Sequence, residues 1–172
     1  REGKPARLAK IEPDEQSAFE QLGLITSKPV LYVANVDEAS AATGNAFSAR
    51  VQEKAKAEGA ECVVFSARIE SEIAVLPPEE RADFLEAVGL PEAGLDRMIR
   101  AGYALLGLIT YFTVGPKETR AWTIVKGTKA PKAAGVIHTD FEKGFIRAET
   151  TAYDDYVAAG GEAGAKEAGK MR

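Results

Sequence analysis

The stretch Lys28-Pro29-Val30-Leu31-Tyr32-Val33-Ala34-Asn35-Val36-Asp37-Glu38 constrains the fold more than any other part of the chain. Val30 to Ala34 is a short apolar run opened by a proline, the pattern of a strand buried on both faces. It empties into Asn35-Val36-Asp37-Glu38, a polar loop at the strand's C-terminal end. A second run, Glu61-Cys62-Val63-Val64-Phe65, repeats the pattern and empties into Ser66-Ala67. Between them, Ala46 to Glu58 has helical spacing, with Phe47, Val51 and Ala55 on one stripe and Gly59 as its stop. Strand, helix and strand in this order predict an open α/β sheet, whose ligands bind beyond the C-terminal ends of its strands.

Two neighbouring strands ending in Asn-x-x-acid and Ser-Ala resemble the base-recognition loops of a P-loop GTPase-type domain. There the first loop reads Asn-Lys-x-Asp: the Asp accepts two hydrogen bonds from guanine, and the Lys stem lies along the base. Here Val36 stands in place of the Lys and Glu38 in place of the Asp. Asn-x-x-Glu in this context resembles the YchF/Obg-like ATPase family, whose members prefer ATP. The similarity runs on through Ser66 to Ala74, Phe84 to Leu90, Tyr111 to Thr123 and Gly135 to Glu149, and so covers nearly the whole chain.

The resemblance implies a fold, a chemistry and partners. Residues 1–104 would be the C-terminal part of a G-type nucleotide-binding domain, with 1–12 the end of an inserted helical arm. Residues 105–172 would be an α+β β-grasp (TGS) domain, incomplete at its C-terminus. ATP is the implied ligand, with Mg2+ held by groups outside this chain. The phosphate loop and switch segments would lie upstream of residue 1. Hydrolysis would belong to the full-length protein and not to this stretch alone. The implied partner is the ribosome, through its large subunit or its RNA, with no membrane and no DNA specificity.

Composition sets wider bounds. A chain of 172 residues holds one ordinary domain or two small ones. Hydrophobic content of 45% against 28% charged is that of a soluble globular protein, and no apolar run approaches the roughly 20 residues that cross a bilayer. The N-terminus has neither the apolar core of a signal peptide nor an initiating Met, which predicts a longer native chain. A single cysteine, Cys62, excludes an internal disulfide and suits a reducing, cytoplasmic setting. The net charge of −4 is uneven: residues 1–104 carry 12 basic against 18 acidic side chains, residues 105–172 carry 10 against 8.

Elsewhere the punctuation is clear. Pro13 to Leu22 reads as a short helix closed by Gly23, and Ile69 to Leu76 starts another. Pro77-Pro78-Glu79-Glu80 opens a third, proline first and acids in its first turn. Leu95 to Leu106 follows, with Leu95, Met98, Ile99 and Tyr103 on its apolar face. Then the texture changes. Leu108 to Val114 and Ala121 to Val125 form a hairpin around Gly115-Pro116. Ala133 to Phe141 reads as one short helix, Phe145 to Glu149 as a third strand, and Tyr153 to Val157 and Glu162 to Lys170 as helices. Two strands, a helix and a strand in so few residues suggest a β-grasp module.

Among candidate site residues, Asn35 is either a base contact through its amide or a plain turn residue. Glu38 either meets a base amino group or caps the following helix; Asp37 is solvated. Under the resemblance, Val36 touches the base, and the Ser66 and Ala67 backbone amides reach the purine six-position. Gly164 to Lys170 satisfies Gly-x4-Gly-Lys, but Met171 follows, no strand precedes it and its residues favour helix, so it is no phosphate loop. Cys62 sits among valines as an inert thiol. His138 is the only histidine and reads as structural or surface; no metal site is expected. Lys117, Arg120, Lys126, Lys129 and Lys132 surround Trp122 with Glu118 as the only acid between Lys117 and Lys132. That suits RNA if the tryptophan is exposed, and a solvated hairpin if it is buried. Three readings follow: the base-binding part of an ATPase, an RNA- or ribosome-binding module, and a structural adaptor without catalytic activity.

Overall fold

A computed structural model describes residues 3–172. Arg1 and Glu2, part of the expected helical arm, lie outside the described residues; Ala6–Leu8 nearby forms a single 3-10 turn. The chain divides into two compact units, one running through Leu108 and the other spanning Ile109–Arg172.

In the first unit, β1 (Leu31–Asn35) and β2 (Glu61–Phe65) pair in parallel, with Leu31 opposite Glu61 and Asn35 opposite Phe65. A parallel pair needs a crossover, and α2 (Ala46–Ala57) supplies it. Its start is well determined. Asn45 Oδ1 accepts the Phe47 and Ser48 N–H groups, and Ser48 Oγ accepts the Asn45 N–H at 2.8 Å, a reciprocal capping box. Gly59, at φ +66°, takes the left-handed conformation that ends the helix.

Burial corrects two expectations here. The first strand is not buried on both faces: Val33 is 43% exposed. The sheet of this unit is two strands wide among the described residues. Phe47, placed on the inner stripe of α2, is 77% exposed, while Ser48 and Ala55 are buried.

Short helices fill the rest of the unit. The expected helix from Pro13 is regular only over α1 (Gln16–Gln21). After β2 come α3 (Ala67–Val75), a 3-10 turn Pro78–Glu80, α4 (Arg81–Ala87) and α5 (Gly94–Leu105). Ile69 and Ile73 of α3 meet Ala41 and Leu90 in the core, with Phe84, Leu85 and Val88 packed against them. Glu58 gathers the Arg7 guanidinium, the Tyr32 hydroxyl at 2.9 Å and Lys54 at 3.6 Å. The Arg7 and Tyr32 hydrogen bonds hold its carboxyl below the usual range.

The inner face of α5 also differs from expectation. Leu95, Ile99 and Tyr103 are exposed, whereas Gly94 and Ala101 are buried. Close approach explains the choice at the start of the helix: a Cβ on Gly94 would lie 2.5 Å from Phe65 Cβ, so no side chain fits there. The Glu70 carboxylate accepts the Gly94 and Leu95 N–H groups at 2.7 and 3.2 Å, anchoring the helix start.

In the second unit, β3 (Leu108–Val114) and β4 (Thr119–Val125) form the expected hairpin, antiparallel because so short a connection allows nothing else. The Gly115 N–H closes the turn onto the Glu118 carbonyl at 3.0 Å. The single helix expected from Ala133 is two, α6 (Ala130–Ile137) and α7 (Thr139–Lys143). The break is His138, extended at φ −158°, whose Nδ1 accepts the Asp140 N–H and caps α7. The Tyr111 hydroxyl ties the Ala133 carbonyl to the hairpin at 2.8 Å. Phe145 to Glu149 is not a strand: no ladder partner lies beside it among the described residues. Just beyond it, Thr150 and Arg172 exchange both backbone hydrogen bonds at 2.9 Å. Between them lie α8 (Tyr153–Ala158) and α9 (Glu162–Glu167), with Ala165 fully buried. Gly164 thus sits inside a helix, as its neighbours' propensity requires. No described helix is long and apolar enough to cross a membrane.

Gly94→Ala tests the α5 packing. The added methyl has to push Phe65 or the helix away, which costs about 1–3 kcal/mol. The urea unfolding midpoint of the variant should fall accordingly; an unchanged midpoint shows that the gap opens freely.

Candidate functional site

The candidate residues of the first unit come together at the C-terminal ends of β1 and β2. The parallel ladder runs one step past Asn35: the Val36 N–H donates to the Phe65 carbonyl at 2.9 Å, holding the two exit loops side by side. Val36 is half-buried there.

Asn35 bridges the loops. Its Oδ1 accepts the Ala67 N–H at 2.9 Å. Ala67 opens α3, whose first N–H groups have no partner within the helix. Ser66, at the N-cap position, makes no side-chain cap bond, and its buried hydroxyl has no hydrogen-bond partner. Asn35 therefore caps α3 from another strand. A backbone N–H can only donate, so the amide oxygen must face it, and the Asn35 NH2 is the group left to point outward. In this structure the Ala67 N–H, expected to reach a base, donates to Asn35.

The acidic half of the loop divides between a cap and a free carboxylate. Asp37, read as solvated, is exposed, and it also accepts the Ser40 N–H at 2.9 Å, capping the 3-10 turn Glu38–Ser40. Glu38 does not cap it, and its exposed carboxylate lies 3.9 Å from Arg68 Nε. Arg68 also pairs with Glu72 at 3.3 Å. Sequence reasoning missed Arg68. Its i,i+4 spacing to Glu72 was a usable signal, but the approach to Glu38 needed the fold.

In the second unit the five basic residues are not equivalent. Lys117, Lys126 and Lys129 are exposed and make no ion pair among the described residues. Lys132 bonds Glu142 at 2.6 Å, and that hydrogen bond raises its pKa. Glu142 is distant in sequence, beyond the stretch in which Glu118 was the only acid. Arg120 lies over the Trp122 ring, 4.5 Å from its centroid, and the indole N–H donates to Thr113 Oγ1 at 2.9 Å. Trp122 is half-buried with one face covered, between the two alternatives the sequence left open.

Cys62 is half-buried in β2, and burial pushes its thiol pKa up. No three His, Cys, Asp or Glu side chains converge as a metal site among the described residues.

The C-terminal unit matches a family model, YchF-GTPase_C, described as a protein of unknown function (DUF933), over residues 108–172. The Ribosome-binding ATPase YchF of Bacillus subtilis (strain 168) is 57% identical over 171 residues, 98% of this chain and 47% of that protein. The chain belongs to the YchF family. Obg-like ATPase 1 of Rattus norvegicus is 46% identical over 152 residues, 87% of this chain and 38% of that protein. Among solved structures, the Schizosaccharomyces pombe YchF GTPase superposes with a TM-score of 0.86 at 34% identity, covering 98% of this chain and 46% of that one. The α/β fold is thus that of YchF. The chain spans about half the length of the curated YchF relatives it matches.

The Asn35 bridge can be measured without any ligand. Asn35→Ala strips the Ala67 N–H of its acceptor and should cost about 1–2 kcal/mol in denaturant unfolding. Asn35→Asp keeps an acceptor and should lose much less. Equal stability of Asn35→Ala and wild type shows that the bond contributes nothing.

Proposed function

We propose that the chain supplies the base-recognition edge of an ATP-binding, ATP-hydrolysing P-loop domain, followed by a TGS module that docks on the ribosome. The observation that supports the first part is the Asn35–Ala67 hydrogen bond. It points a fixed NH2 donor outward at the strand ends, suited to the N7 acceptor of a purine. The Glu38 carboxylate then serves as acceptor for adenine's amino group, and Val36 offers an apolar contact where a guanine-binding loop has Lys. Guanine carries a carbonyl at that six-position, so a carboxylate held there, rather than at the ring N–H and amino edge that the Asp of a guanine loop meets, finds no donor.

Phosphoryl transfer further requires a phosphate cradle and a held Mg2+. In this proposal other parts of the full-length protein supply both, and residues 1–172 alone are inactive. The names of the relatives support ATP and the ribosome as ligand and partner: the Bacillus subtilis protein is called a ribosome-binding ATPase. The Schizosaccharomyces pombe structure is called a GTPase, which makes base selectivity the property to measure. The full-length protein should bind ATP more tightly than GTP. The double change Val36→Lys with Glu38→Asp should shift selectivity towards GTP by about 1–3 kcal/mol, the usual worth of a matched bidentate pair. Titration with both nucleotides decides: tighter GTP binding by the unmodified protein ends the ATP reading.

For docking on the ribosome, the unpaired cations Lys117, Lys126 and Lys129 are the candidates. Arg120 is engaged with Trp122 and Lys132 with Glu142. Reversing Lys117, Lys126 and Lys129 to Glu should weaken ribosome co-sedimentation. The salt dependence should flatten by about 0.7–0.9 unit for each phosphate that the variant no longer neutralises. Pelleting equal to wild type at every salt concentration removes this surface from the proposal.

A further inference from the structure

A cavity of about 490 Å3 lies beside β2, within the range of about 300–1,000 Å3 typical of small-ligand sites. It is separate from the Asn35–Ala67 edge: neither residue lines it. Residues 61–64 form one wall, the Ala41–Gly44 loop another, and Arg97 and Arg100 of α5 project from the third.

Strand geometry explains why Arg97 is there. In a parallel ladder the N–H and C=O of one residue point to the same side, and successive residues alternate. The Phe65 carbonyl faces β1, where it accepts the Val36 N–H, so the Val64 carbonyl faces the open edge of β2. Arg97 Nη2 donates to it at 2.9 Å. The guanidinium is left under-compensated. Its Nε–H is buried without an acceptor, and it makes no ion pair among the described residues. Arg100, on the next turn, bonds Glu92, which lies outside the cavity lining. The only carboxylate in the lining is Glu61, against two guanidinium groups, with Thr43 and Gln52 as neutral hydrogen-bonding groups. A half-buried cation without a counter-charge favours an anion beside it. Forked guanidinium donors match phosphate and carboxylate oxygens in pairs.

We propose that the cavity beside the open edge of β2 binds a small dianion, a phosphate monoester or a dicarboxylate, through Arg97 and Arg100. Cys62 lines the same cavity and reports on its occupancy. In the full-length protein, N-ethylmaleimide modification of Cys62 is followed by peptide mass spectrometry with inorganic phosphate or malonate, and with sodium chloride at matched ionic strength. One or both dianions should slow modification saturably, to about a tenth of its rate at ten times Kd, because only the unliganded fraction reacts. Protection by phosphate alone assigns a phosphorylated ligand, and protection by malonate alone a dicarboxylate. Arg100→Gln, which leaves the Arg97–Val64 bond in place, should lose most of this protection while keeping its circular dichroism spectrum. Asn35→Asp should retain protection, so the result is independent of the nucleotide reading. The proposal is overturned if neither anion protects beyond chloride, if Arg100→Gln is protected as well as wild type, or if Asn35→Asp abolishes the effect.

Discussion

The parallel pairing of β1 with β2, Asn35 opposite Phe65, is the constraint on which the rest of the first unit depends. A one-residue slip would turn every side chain of one strand to the other face. It would also separate Asn35 from Ala67. In the observed register the ladder extends through Val36, and both exit loops leave the sheet at the same level. A side chain from one loop can then cap the helix that starts in the other. The sheet thereby positions a polar amide without relying on loop rigidity, which short surface loops seldom have.

Close packing sets the second constraint. α5 approaches β2 so nearly that Gly94 has no room for a side chain, and the anchor of its first turn is Glu70 from α3. One helix is thus tied by close backbone approach to the strand and by a charged cap to its neighbour. The arrangement leaves the larger apolar residues of α5, Leu95 and Ile99, facing outward. It also delivers Arg97 to the open strand edge, where an uncovered carbonyl would otherwise invite another strand.

In the second unit, charge is partitioned by packing rather than by count. Gly135 brings α6 against Glu142 of α7, and Lys132 from the same helix neutralises that carboxylate. Arg120 spends its guanidinium face on Trp122. The surface that remains cationic is therefore smaller than the composition of residues 105–172 suggests.

Much of this was legible in the residues themselves. The two apolar runs with polar exits, the helix stops at Gly23 and Gly59, and the hairpin around Gly115 follow from local preferences that act within a few residues. So does the rejection of the Gly164–Lys170 run as a phosphate loop. The resemblance carried by Asn35 to Glu38 and Ser66-Ala67 led to the family for the same reason: those residues are contiguous and their order is visible. What the tertiary structure alone decided are pairings between distant residues. Asn35 takes the Ala67 N–H, Asp37 rather than Glu38 caps its turn, and Arg68 turns to Glu38. Lys132 is committed to Glu142, and α5 presents its small face instead of its apolar one. Each depends on which groups meet after packing, and helical or strand periodicity alone does not contain that information.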